Sequence, residues 1–357
     1  MVVFVNKQNE VYDILKNKEI DALVITDPYN LRYFSGFTGE EACYYISKKR
    51  CALITDSRYT LWAMAECAQG EVFTTNDAYG LVAQYVKEDG VLRMGFEGAN
   101  LSYVDYNRLV EKTGIKDVVT VDNELAVLRM VKSKDEIQKI AAAEAIGDDA
   151  FEYILGILGV GMTEKDVALE LEMFMKRKGA DKLSFDVIAA SGPNSAKPHA
   201  IPSDRKLQKG DFLTMDFGCI YEGYCSDMTR TVVIGTADER QKKIYNIVLD
   251  ANLAVINGVR AGMTGKAGDA IARKIISEAG YGKNFGHGTG HSVGLYIHEE
   301  PRLGMRETRT LLPGMVLTVE PGIYIEGFGG VRIEDVVVIE ENGVRNITFS
   351  PKELIEI

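Results

Sequence analysis

Apolar positions in the first third of the chain come in short runs separated by turn residues. Asp21-Ala-Leu-Val-Ile-Thr26, Cys43-Tyr-Tyr-Ile-Ser47 and Cys51-Ala-Leu-Ile-Thr-Asp56 are too short for a stable helix and rich in the branched and aromatic residues that pack on a pleated surface, so they predict buried strands. Residues 8–17 carry their apolar positions at helical spacing instead. Such an alternation predicts a small α/β domain over residues 1–128. A boundary is expected near 125–133, where Ser133-Lys-Asp-Glu136 has the form of a capping box that opens a long helix with Ile137, Ile140 and Ala141 on its apolar face. The second domain then runs over 129–357.

The second domain repeats itself. Gly161-Met-Thr163 returns as Gly262-Met-Thr264 at an offset of 101, each copy followed by a helix-like stretch. Gly210-Asp-Phe-Leu-Thr-Met-Asp216-Phe-Gly218 returns as Gly314-Met-Val-Leu-Thr-Val-Glu320-Pro-Gly322 at an offset of 104. His199 and His298 lie 99 apart at roughly matching places. Three landmarks at nearly one offset predict two duplicated α/β halves, strands inside and helices outside, with functional groups on the seam.

Carboxylates occupy the strands of both halves. Asp216 lies in the apolar run Leu213–Gly218, where aspartate is normally depleted. After a turn around Tyr221-Glu-Gly223 the chain returns through Cys225-Ser-Asp227-Met-Thr-Arg-Thr-Val-Val-Ile234. With the turn centred between Tyr221 and Glu222, Asp216 and Asp227 lie directly opposite; a slip of two residues keeps them on one face. Glu320 matches Asp216 in the second half, and Gly330-Val-Arg332-Ile-Glu334 supplies the return strand, with Arg332 and Glu334 on one face. Buried like charges facing each other repel unless protonated or bridged by a cation.

Three of the four histidines fall in Gly286-His287-Gly-Thr-Gly-His291-Ser-Val-Gly-Leu-Tyr-Ile-His298-Glu299. The four-residue spacing of His287 and His291 would suit a helix, but the glycines oppose one and predict a strand or loop whose backbone closely approaches a ligand. One imidazole with four carboxylates is an oxygen-rich donor set suited to Mn, Co, Fe or Zn, and it balances the charge of two divalent ions.

Composition narrows the partners. A net charge of −11 with no basic stripe argues against nucleic acid and anionic membranes. The five cysteines form no CxxC pair, as expected of reduced thiols in a cytoplasmic protein. The opening Met1-Val-Val-Phe-Val-Asn6 lacks the basic start of a signal peptide, and no apolar run is long enough to span a bilayer.

At these residues the sequence resembles the creatinase/methionine aminopeptidase ("pita-bread") family, and within it the proline peptidases, Xaa-Pro aminopeptidase and Xaa-Pro dipeptidase. The matching motifs are Ser191-Gly-Pro-Asn-Ser-Ala-Lys-Pro-His199, Met215-Asp-Phe-Gly218, Ser226-Asp-Met-Thr-Arg-Thr231, Gly286–Leu295 with His298-Glu299, Val319-Glu-Pro-Gly-Ile-Tyr324 and Val331-Arg-Ile-Glu-Asp335. They cover residues 130–357 in the family's order. Asn30-Leu-Arg-Tyr-Phe-Ser-Gly-Phe-Thr-Gly39 and Thr55-Asp-Ser-Arg-Tyr59 look like the family's N-terminal domain, which methionine aminopeptidases lack.

The resemblance implies a pita-bread catalytic domain at 129–357 behind a creatinase-like domain at 1–128. It also implies two divalent metals, manganese expected and Co, Zn or Fe compatible, held by Asp216, Asp227, His291, Glu320 and Glu334. Asp227 and Glu334 would bridge them, and a hydroxide shared by the metals would attack the Xaa-Pro bond of short peptides with proline second. Glu320 would carry the proton, His199 and His298 would bind substrate and stabilise the intermediate, His287 would contact substrate, and Arg332 would orient the carboxylates. A homodimer is implied, with Tyr59 and Trp62 as a candidate contact. The competing readings are an aminopeptidase of this fold without strict proline preference and a non-catalytic binding protein. Nothing in the sequence separates dipeptidase from aminopeptidase activity.

Overall fold

The computed structural model describes residues 2–357; Met1, the first residue of the stretch read for a leader, lies outside it. The chain divides into two compact units between Leu128 and Arg129.

In the first unit the three apolar runs become neighbouring strands. Ala22–Ile25, Ala42–Ser47 and Cys51–Thr55 pair antiparallel, and Glu71–Thr74, Arg93–Phe96 and Asp117–Thr120 complete a six-stranded mixed sheet. The central strand is buried along its whole length, which is why it reads as a continuous apolar run. The helix read at 8–17 spans Val2–Asn17. The Asn30 motif is a local device: Asp27 caps the helix Pro28–Ser35, and buried Glu97 accepts hydrogen bonds from the backbone of Thr26 and Asp27 and from Asn30 Nδ2.

The second unit opens with the capping box. Ser133 Oγ accepts from the Glu136 backbone N–H, and the Glu136 side chain accepts from the Ser133 N–H at 2.8 Å, starting the helix Lys134–Leu155. The duplication extends to individual hydrogen bonds. Thr163 and Thr264 each cap a helix, Glu164–Arg177 and Gly265–Glu278. Gly161 N–H donates to Leu207 O and Gly262 N–H to Leu311 O, with Leu207 and Leu311 returning the bond to Met162 and Met263. Strand Phe212–Phe217 pairs Leu213 with Ser191, as strand Val316–Val319 pairs Leu317 with Ser292. Each half has its own core. Ile154, Val167, Leu213 and Met215 pack in the first, Val248, Val255, Leu317 and Val319 in the second. The helices cover the outer faces of the sheets and leave the inner strands to meet.

They meet through residues 229–231 and 332–334. Glu334 N–H donates to Thr229 O, and Thr231 Oγ1 both donates to Arg332 O and accepts from the Arg332 N–H. Arg230, 1% exposed, crosses the seam: its Nη2 donates to Asp335 Oδ1 and Ser350 O, its Nε to Pro351 O, and its Nη1 to the carbonyls of Thr229 and Glu334. A buried charge stripped of its partner is expensive. Arg230→Met should therefore lower the unfolding free energy by about 3–5 kcal/mol, read from urea denaturation; a change below about 1 kcal/mol would show that the seam does not depend on this residue.

Candidate metal centre

Strand register decides how the acids meet. In the first half the turn lies at Glu222–Gly223, with Tyr221 paired to Tyr224 and both turn residues at positive φ (46° and 80°), as a two-residue type I′ turn requires. That is one position later than the centre that would put Asp216 opposite Asp227. Asp216 is paired with Thr229, and Asp227 is its diagonal neighbour, on one face as the two-residue slip allows. In the second half Val319 pairs with Asp335 and Gly322 with Arg332, so the intervening Glu320 and Glu334 lie across from each other.

His291 enters from the short strand Gly290–Ser292, whose backbone N–H at His291 donates to Thr318 Oγ1 at 3.0 Å. The glycine before it is also needed for close approach to a strand: a Cβ at Gly290 would lie 2.0 Å from Thr318 O, while Gly286, Gly288 and Gly290 line the cavity. The result is a tight cluster. His291 Nε2 lies 3.5 Å from Asp227 Oδ2 and 3.5 Å from Glu320 Oε1. One ligand atom each from Asp227, His291 and Glu334 falls within 4.8 Å of the others. His291 Nδ1 is 3.2 Å from Ser292 O, so the proton belongs on Nδ1 and the Nε2 lone pair faces the carboxylates.

Three of the four acids are held by one oxygen each. Thr229 Oγ1 donates to Glu334 Oε2 at 2.7 Å, Thr318 Oγ1 to Glu320 Oε1 at 3.2 Å, and Arg332 Nη2 to Asp216 Oδ2 at 2.6 Å. Arg332 Nε donates to Thr229 Oγ1, linking the first and third of these bonds. Asp216 Oδ1 is buried without a hydrogen-bond partner among the described residues, an orphaned anion oxygen aimed into the cluster.

Electrostatics follows from this crowding. Burial, then the Glu334, Asp216, Glu320 and Glu144 carboxylates, push Asp227 well above the usual range. Burial followed by Glu320 and Asp216 does the same to Glu334. Glu320 is pushed up to about 7, chiefly by burial, with Arg332 opposing. Burial, reinforced by His298, pulls His291 down to about 3, which keeps the imidazole neutral and able to donate its lone pair. Oxygen-rich donors, a neutral imidazole and an unpartnered buried carboxylate oxygen fit a divalent cation site.

The remaining histidines line one cavity of about 860 Å³ with the cluster. His298 stacks edge-on to His291 with ring centroids 4.5 Å apart, and His199 stands in the wall formed by residues 198–202. His287 has both ring nitrogens engaged: Nδ1 with Gly288 O at 2.8 Å and Nε2 with the Tyr324 hydroxyl at 2.9 Å. Tyr324 in turn accepts from Arg332 Nη1 at 2.8 Å. Burial, then Arg332, lowers His287 to about 4, as an acceptor from Tyr324 must be neutral.

Sequence reasoning passed over Thr229, Thr318, Tyr324 and Glu144. Glu144 accepts the Asp227 backbone N–H at 2.8 Å and the Thr348 hydroxyl at 2.9 Å, and burial pushes it up to about 8. Its signal was available, because it falls four residues after Ile140 and seven before Phe151, on the buried face of its helix. Thr318 carried a signal too, as the repeat partner of Thr214.

Known proteins share this arrangement of the whole chain. Residues 138–341 match metallopeptidase family M24, and residues 8–131 match the creatinase/prolidase N-terminal domain. The chain is 37% identical over 359 residues to an Xaa-Pro dipeptidase of Pyrococcus horikoshii, with 99% of this chain and 100% of the relative covered. It is similar to the structure of an Xaa-Pro dipeptidase from Bacillus anthracis at a TM-score of 0.96 and 43% identity, covering 99% of both chains. It is also similar to that of an X-Pro aminopeptidase from Thermotoga maritima at a TM-score of 0.90 and 38% identity, covering 95% of this chain and 98% of the other.

The raised acid has a measurable consequence. Glu320 goes from 4.5 to about 7 on folding, so without cations the fold binds more protons than the unfolded chain between those values and loses stability as pH rises through them. The lowered histidines act with the opposite sign, so Glu320→Gln is the reference. In chelator, the Tm of the wild type should fall relative to that of Glu320→Gln between about pH 5 and pH 7.5, and divalent cation should restore it. Parallel pH profiles would mean that Glu320 does not share a pocket with the other acids.

Proposed function

The chain belongs to metallopeptidase family M24, its second unit being the pita-bread fold of two duplicated α/β halves, and from that premise we propose that it hydrolyses the Xaa-Pro bond at the N-terminus of short peptides with two divalent cations. Residues 129–357 would be the catalytic domain and 1–128 the creatinase-like domain. The observation that carries the reading is the convergence of Asp227, Glu320 and Glu334 on the His291 lone pair, with Asp216 held by Arg332 in the wall of the same cavity. Asp227 and Glu334, the most deeply enclosed of these four acids, would hold the cations together with Asp216, Glu320 and His291.

Bound cations supply Lewis acidity, which lowers the pKa of water and polarises a carbonyl oxygen. The side chains do the rest. The Glu320 carboxylate takes a proton and delivers it to the proline nitrogen, the leaving group of a tertiary amide. His298 and His199 contact the scissile carbonyl and peptide from the cavity wall. His287 acts through Tyr324, fixing the hydroxyl that meets Arg332, while Arg332 keeps Asp216 turned toward the cluster.

Manganese is the metal we expect. No disulfide joins the five cysteines among the described residues, which fits a reducing compartment, and the cytoplasm is the location proposed; among the described residues no helix is long and apolar enough to cross a membrane. The homodimer contact is assigned to the first unit, where Tyr59 stacks on Trp62 and Leu61 and Met64 are exposed.

With Mn²⁺, an Xaa-Pro dipeptide should be cleaved at least about tenfold faster than Xaa-Ala, since the site would select the tertiary amide, and EDTA should abolish both. Adding Xaa-Pro-Yaa to the same panel separates dipeptidase from aminopeptidase action. Equal turnover of Xaa-Pro and Xaa-Ala would replace the proline reading with a general aminopeptidase, and no turnover at all would favour a binding protein. Asp227→Ala should lose metal and activity together. His298→Ala should lower kcat by about 10²–10³-fold with metal content unchanged; loss of metal in that variant would move His298 into the ligand set.

A further inference from the structure

Glu164 is a wholly buried carboxylate with no part in the chemistry above. It is the first residue of the helix Glu164–Arg177, and it faces donors on every side. Oε1 accepts from the Ser191 N–H at 2.6 Å and the Ser191 hydroxyl at 2.8 Å. Oε2 accepts from Asn194 Nδ2 at 2.9 Å, the Ser203 N–H at 3.0 Å and the Ser203 hydroxyl at 2.6 Å. Ser191 and Ser203 are the two ends of one loop, so a single carboxylate draws the ends together, the defining geometry of an Ω-loop.

The far side of this loop is the cavity wall. Ser195 Oγ accepts from the Gly330 N–H at 2.9 Å, and Pro198 O accepts from Arg332 Nη1 at 3.3 Å. His199 follows directly, and with Ala200, Ile201 and Pro202 it lines the cavity. The helix bearing Glu164 is anchored separately, by Val167, Leu171 and Met175 in the core of its half. Loss of the carboxylate would therefore remove the tie that joins Ser191, Asn194 and Ser203, loosening the segment before His199, and leave the helix in place.

We propose that Glu164 is a positioning residue for hydrolysis, closing the 191–203 loop so that His199 is held at the cavity wall; this rests on reading His199 as a substrate contact. Glutamine has the same shape but the wrong hydrogens. Whichever way its amide turns, an N–H₂ group meets at least one backbone N–H that cannot reverse, leaving buried donors unpaired. A histidine released by an ångström loses most of its contribution to catalysis.

The test is a double-mutant cycle on the metal-loaded enzyme, with an Xaa-Pro dipeptide as substrate. Glu164→Gln should lower kcat/KM by about 10- to 100-fold, leave metal content unchanged, and speed amide hydrogen exchange in peptides spanning 192–203 of the metal-free protein. In a His199→Ala background the same substitution should cost less than about threefold, because residues acting through one another are not additive. An equal loss in both backgrounds would overturn the proposal and leave Glu164 a general structural residue. A fully active His199→Ala would overturn the reading of His199, and the proposal with it. Should Glu164→Gln not fold, Ser203→Ala removes only one of the closing hydroxyls and carries the same cycle to the same two outcomes.

Discussion

Carboxylates in a shared, buried pocket repel one another, and the second unit is organised around that repulsion. Two unit charges 4 Å apart cost about 4 kcal/mol at an effective dielectric of 20, and several such pairs together would rival the whole stability of a domain, about 5–15 kcal/mol. Protonation relieves the cost when no cation is bound, and burial first, with the neighbouring carboxylates adding to it, raises Asp227, Glu320 and Glu334. Divalent cations in the pocket would relieve it without protons. The same groups that weaken the empty pocket are those that make it bind cations, so metal affinity and stability are linked through the acids' protons.

Holding the acids in place falls to neutral hydroxyls and one cation. Thr229, Thr318 and Arg332 each occupy one oxygen of an acid, leaving the others free for coordination. Arg332 is the common member, reaching Asp216, Thr229, Tyr324 and Pro198 O. One guanidinium thus orders one acid, a hydroxyl that holds a second acid, the tyrosine beside His287 and the loop that carries His199. The fork of donors is rigid and always charged, which suits it to this role better than a lysine would be.

Much of this was legible from residue patterns. The capping box at Ser133, the paired threonine caps at Thr163 and Thr264 and the matched strands at Asp216 and Glu320 are local signals, written in residues near one another in the chain. Asp227's position was only half legible. A turn shifted by one residue makes Thr229, not Asp227, the direct partner of Asp216, and nothing in the composition of Tyr221-Glu-Gly-Tyr224 chooses between the centres until the left-handed turn at Glu222–Gly223 is seen. Glycine at 290 was recognised as a close-approach residue, but the strand it approaches was not. The hydrogen bond between His287 Nε2 and the Tyr324 hydroxyl could not be foreseen, because Tyr324 lies 37 residues away in the chain.

What the sequence by itself determined is the inventory and its symmetry: two α/β halves, acids on inner strands, a histidine-bearing glycine segment, and a family whose chemistry uses them. Periodicity, caps and repeats report on contacts between near neighbours, and those decide which residues share a strand face. Only the tertiary structure decided which oxygen of Asp216, Glu320 and Glu334 is held and which is free, that Asp216 Oδ1 is the orphan, and that Glu164 closes the loop of His199. The Glu164 contacts span 27 to 39 residues within the first half, and the contacts of Asp216 and Glu334 draw on both halves, 116 residues apart in Asp216 and Arg332. The latter come into register only when the seam strands close, and no local pattern carries that distance.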